Sequence, residues 1–90
     1  MYIKKIDELF DAMYYHKHYS YNQISYTNKD NITKRYNIFL DKGNHAISED
    51  VKDILTIKTE IPLKNSNYYY STYHKTLEDT YKYLYFIINN

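Results

Sequence analysis

Ninety residues with twelve basic and eleven acidic side chains, a net charge of +1, describe one small domain with little room for a second core. The absence of cysteine excludes disulfides and thiolate metal sites. Near-neutrality, with Arg35 as the sole arginine, argues against a strong phosphate-backbone binder.

From the N-terminus, Ile3, Ile6, Phe10, Met13 and Tyr14 recur in steps of three and four, with Leu9 widening the stripe, which predicts a helix over 3–17. Lys17 and His18 then fall near its C-terminus, where a cation suits the helix dipole. Residues 19–27 (YSYNQISYT) alternate and are rich in aromatic and hydroxyl side chains, as a strand requires. A polar turn at 28–31 leads into a second strand at 32–40. Its alternation places Ile32, Tyr36, Ile38 and Leu40 on one face, and Thr33, Arg35, Asn37 and Phe39 on the other. Gly43, the only glycine, marks a turn. His45–Ile47 predicts a brief strand, and Ser48 a helix start or turn with acidic residues behind it. Residues 54–61 switch to period two and end at Pro62, a third or fourth strand. Residues 63–70 read as a loop, polar and then aromatic. Ser71 or Thr72 then caps a last helix whose core stripe is Tyr73, Leu77, Tyr81, Leu84 and Ile88.

These elements predict an α+β two-layer sandwich: an N-terminal helix, a three- to four-stranded antiparallel sheet and a C-terminal helix, both helices on one sheet face. A chain this short buries only about 60–65% of its unfolded surface, so its stability margin is narrow. The longest apolar run, 84–88, is five residues against the roughly 20 that a membrane span needs. The first ten residues, MYIKKIDELF, carry acids where a secretory signal wants an apolar core. Both features point to a cytoplasmic protein.

The chain offers little for catalysis. No serine sits in a Gly-x-Ser-x-Gly setting, one glycine cannot build a phosphate-cradling loop, and the acids Glu49, Asp50 and Asp53 read as a solvated turn. His16, His18, His45 and His74 lack the spacing of a metal motif and read as surface histidines. The expectation is a non-enzymatic protein with no catalytic, cofactor or metal residues.

Tyrosine is the informative residue. Seven of the fourteen fall between Asn67 and Asn90, and three consecutive ones, Tyr68, Tyr69 and Tyr70, cannot all point inward. Tyrosine gives large contact area for little lost side-chain entropy and is enriched at binding hot spots. The predicted protein-binding residues are therefore Tyr68, Tyr69, Tyr70 and Tyr73, with Arg35 and Phe39 on the open sheet face. Two alternatives use the same aromatics: a single-stranded nucleic-acid-binding module, with Lys34, Arg35 and Lys64 alongside Tyr68–Tyr70, and the interface of a homo-oligomer.

Ile, Lys, Asn and Tyr make up half the chain. Each has at least one codon made only of A and T, so an AT-rich genome accounts for part of the tyrosine excess. In size, composition, interleaved charge and lack of catalytic motifs the chain resembles the small cysteine-free proteins that phages and mobile elements of low-GC bacteria use against host defences, anti-CRISPR proteins among them. That resemblance implies a stoichiometric inhibitor in the host-cell cytoplasm that binds a larger host protein or ribonucleoprotein, such as a CRISPR nuclease complex. Its neutral charge favours an aromatic interface over nucleic-acid mimicry.

Overall fold

The computed structural model describes residues 2–20, 22–42, 54–64 and 66–89. The elements run α1 (Tyr2–Ala12), β1 (Tyr15–Tyr19), β2 (Gln23–Asn28), β3 (Arg35–Lys42), β4 (Ile54–Pro62), β5 (Tyr69–His74) and α2 (Leu77–Ile88). The strands form one antiparallel sheet in sequence order, β1-β2-β3-β4-β5. The α+β architecture is as predicted, but with five strands among the described residues where three to four were expected. The predicted turn at Gly43, strand at His45–Ile47 and helix start at Ser48 lie outside the described residues.

Helix α1 forms because Ile3, Ile6 and Phe10 make a buried stripe at helical spacing. It stops well before Lys17. Tyr14 adopts φ 68°, the left-handed conformation that reverses the chain after a helix, and Met13 and Tyr14 donate to Phe10 and Asp11 carbonyls at 3.1 Å. Tyr15–Tyr19 then pairs with β2, so Lys17 and His18 belong to a strand and not to a helix end. Met13 and Tyr14, expected in the apolar stripe, are exposed. The strand predicted over 19–27 takes in the last residue of β1 and most of β2. Ile32, expected on the core face, sits exposed in the β2–β3 connection. That connection is closed by Asn28, whose side-chain oxygen accepts from the backbone N–H groups of Asp30 and Asn31.

The second large correction is β5. Residues 69–74 pair with β4 instead of forming a loop and the first turn of a helix. The cap of α2 is Thr76, whose hydroxyl accepts from Asp79 N at 3.0 Å, with Glu78 and Asp79 in the first turn. Leu77 and Leu84 are buried and Tyr81 and Ile88 partly so, whereas Tyr73 is a strand residue facing solvent.

Both helices cover the same sheet face. Phe10 of α1 stacks on Tyr26 at 4.3 Å between centroids and touches Tyr15 and Tyr36 at 5.3 and 5.0 Å. Helix α2 lies over the β4–β5 side, where His74 meets Tyr83. Ile24, Ile38, Leu40, Ile57, Ile61 and Leu84 complete the core between the layers. Asp7 fastens α1 to two strands, accepting from the Tyr26 hydroxyl and from Lys17 Nζ at 2.7 Å. No helix among the described residues is long and apolar enough to cross a membrane.

Candidate functional site

Strand alternation sends every second side chain to the face that neither helix covers. Register identifies them row by row. His18, Ser25, Asn37, Glu60 and Ser71 form one row across all five strands; Gln23, Phe39, Lys58 and Tyr73 form the next. Arg35 lies beside Thr27 and His16, and Tyr69 beside Pro62.

The centre of this face is held by a chain of polar contacts. Ser25 Oγ donates to Asn37 Oδ1 at 2.8 Å, with Gln23 Nε2 also donating to Ser25 Oγ at 3.1 Å. Asn37 Nδ2 donates to Glu60 Oε1 at 3.1 Å, and Lys58 Nζ lies 3.7 Å from Glu60 Oε2. The Lys58 ammonium also sits 5.2 Å over the Phe39 ring. Asn37 is only 7% exposed despite belonging to the uncovered face, because its neighbours on both sides use it as donor and acceptor. Side chains locked in this way present a surface whose shape is set before any partner arrives.

The six predicted binding residues divide three ways. Arg35 and Phe39 on β3 and Tyr69 and Tyr73 on β5 come together on the uncovered face, Tyr73 being 65% exposed. Phe39 and Tyr73 share a row two strands apart, about 10 Å. Tyr70 turns to the helix side, its hydroxyl 3.4 Å from that of Tyr83. Tyr68 precedes β5 and is 75% exposed. Sequence reasoning missed Lys58, Glu60, Ser25 and Gln23. For Lys58 and Glu60 the signal was available, since they alternate with Ile57, Thr59 and Ile61 on the same strand. The other two lay within the strand read over 19–27, on the face left open, but were not singled out.

A second surface lies at one end of the sandwich. The β2–β3 connection, the β4–β5 connection and the last turn of α2 surround a half-open groove of about 1100 Å³. Tyr68, Lys34 and Lys64 line it, joined by Met13, Leu63 and Ile88. Tyr15 and Tyr36 form part of its wall. Burial raises the phenol pKa of both, Tyr36 to about 12, with nearby Tyr15 and Tyr70 adding to the rise.

Among the described residues no three His, Asp or Glu side chains gather as a metal site. His16 and His18 do share a face, as two residues of one strand must, but on the outer strand of the uncovered surface. Both surfaces offer aromatic area, a few cations and hydrogen-bonding groups. Comparison with known proteins gives no matching family model, no similar curated protein and no similar solved structure.

Proposed function

We propose that this chain is a non-enzymatic binding module that engages a larger protein through the uncovered sheet face, with Phe39, Tyr69, Tyr73 and Arg35 as its anchors. The observation that carries this reading is their shared placement: two aromatic side chains of β5 emerge on the same face as Arg35 and Phe39 of β3, the face that neither helix occupies. Aromatic and arginine anchors around a prearranged polar centre are what protein hot spots are made of. Glu60 at the middle of that face favours a protein partner over a phosphate backbone, which a central carboxylate repels. Occupying a partner stoichiometrically is the action of a small inhibitor. Together with the size and composition of the chain this supports a role as a phage or mobile-element inhibitor of a host defence protein in the host cytoplasm.

The test is affinity capture from a host lysate, with the partner identified and its affinity measured for purified components. Phe39→Ser with Tyr73→Ser should lower affinity at least tenfold, the scale of two hot-spot residues, with an unchanged circular dichroism spectrum. Tyr85→Ser, an exposed tyrosine of α2, should change nothing. Equal losses in both variants, or a bound oligonucleotide whose affinity falls steeply with salt, would refute the assignment.

A further inference from the structure

The end groove adjoins the sheet face at Pro62 and has a composition of its own. Lys34 and Lys64 stand on its rim, and no carboxylate is among its described lining residues. Around it lie Met13, Leu63, Ile87 and Ile88, with the two leucine and methionine side chains substantially exposed. The hydroxyls of Tyr15 and Tyr36 have no hydrogen-bond partner among the described residues, although both rings are largely or fully packed. Thr59 Oγ1 being the one sealed, unpartnered side-chain atom among the described residues, these two phenols open onto the solvent of the groove and can exchange water for a guest's acceptor. Asn31 adds another: its side-chain oxygen is taken by Thr33, while its amide nitrogen has no acceptor among the described residues.

The rim is built and not frayed. Leu63 N donates to Tyr68 O at 2.9 Å and Tyr68 N to Ser66 Oγ at 3.0 Å, which fixes the backbone that carries the exposed Tyr68 ring.

From this charge and shape we infer that the groove takes a short extended peptide segment in which acidic and aliphatic side chains alternate. Carboxylates face Lys34 and Lys64, aliphatic groups settle against Met13, Leu63, Ile87 and Ile88, and the phenols donate to peptide carbonyls or carboxylates. At about 1100 Å³ the groove exceeds the usual 300–1,000 Å³ of a small-molecule cavity, and an extended segment uses such a volume. Its aliphatic wall has nothing to offer a sugar–phosphate chain, which makes a single nucleic-acid strand the poorer occupant. This inference rests on the reading of the chain as a protein binder in naming a peptide, but it concerns a second contact.

The experiment uses the full chain and needs no natural partner. A blocked peptide alternating glutamate and leucine, its glutamine counterpart, and a short thymidine oligonucleotide are titrated against isotope-labelled protein. The glutamate peptide should shift the resonances of Met13, Tyr68 and Ile87 while leaving Phe39 and Tyr73 unmoved. Lys34→Gln with Lys64→Gln should weaken it about fivefold, the combined size of two exposed ion pairs. Equal binding of the glutamine peptide, absence of peptide binding, or preference for the oligonucleotide would each overturn the inference. Shifts confined to Phe39 and Tyr73 would overturn it too and assign peptide binding to the sheet face. The sheet-face reading is tested by other variants and against the whole partner, so either can fail alone.

Discussion

At the scale of single residues, Thr59 is the exception in a well-satisfied interior. It is 0% exposed, it lies on the helix-covered face between Ile38 and Thr72, and its hydroxyl has no partner among the described residues. Thr80, equally buried, returns its hydroxyl to the Thr76 carbonyl at 3.0 Å, the usual solution inside a helix. A strand offers no such neighbour, because its carbonyls are engaged sideways in the sheet. An unpaired buried hydroxyl costs about 1–3 kcal/mol. Thr59→Val keeps the branched shape that strands favour and removes the hydroxyl. It should therefore stabilise the fold by about 1 kcal/mol, raising Tm by roughly 4–8 °C in a domain of this size. A lower Tm in a thermal melt would mean that the hydroxyl is bonded in solution.

At the scale of elements, the boundary between α1 and β1 turns on Tyr14. A non-glycine residue in the left-handed region costs roughly 1–2 kcal/mol, and here a cation–π contact from Lys29, 5.1 Å from the ring centroid, offsets part of it. Tyr14→Gly should be neutral or stabilising by up to about 1 kcal/mol in chemical denaturation. Tyr14→Val, with a branched side chain that tolerates this conformation poorly, should destabilise. The same residue shows why the sequence was only partly legible. Ile3, Ile6 and Phe10 announce α1 by spacing alone, but Met13 and Tyr14 continue that spacing, and no glycine marks the stop. In β5 the obstacle was different. Tyr69 and Tyr73 face solvent while Tyr70 faces the helices, so tyrosine on both faces erases the alternation that betrays a strand. Tyr73 also falls four residues before Leu77, and a helical stripe was extended through it. Strand β4, whose Ile57, Thr59 and Ile61 alternate with charged partners, was read to within a residue. The candidate site was legible in its parts, Arg35 and Phe39 by alternation, but its unity depended on β5 and was not.

At the scale of the whole molecule, tyrosines govern the response to alkali. Burial raises the pKa of Tyr15 and Tyr26, the latter helped by its hydrogen bond to Asp7, and takes Tyr36 from 10.0 to about 12. Between pH 10 and 12 the folded chain therefore holds protons that the unfolded chain has released. Stability is fully present below about pH 10 and declines as pH rises through that window. Denaturant midpoints measured across it should fall steadily, and Tyr36→Phe should flatten the decline. A midpoint independent of pH up to 12 would show that these phenols are solvated. On the acid side His74, whose pKa burial lowers against the opposing pull of Asp79, favours the fold when neutral. Its contribution is present above about 6.5 and is lost as pH falls through its lowered value.

The sheet runs in sequence order from β1 to β5, so each strand finds its partner in the segment just before or after it. Chains built from such near neighbours close small loops first and fold quickly, since little entropy is spent before the first contacts form. The packing of α1 on α2 escapes this economy of distance. Tyr2 and Tyr81, with ring centroids 6.0 Å apart, and Lys5, 6.0 Å from the Tyr81 ring, join the first helix to the last across the whole sheet, so this junction closes the longest loop in the fold and costs the most chain entropy to form.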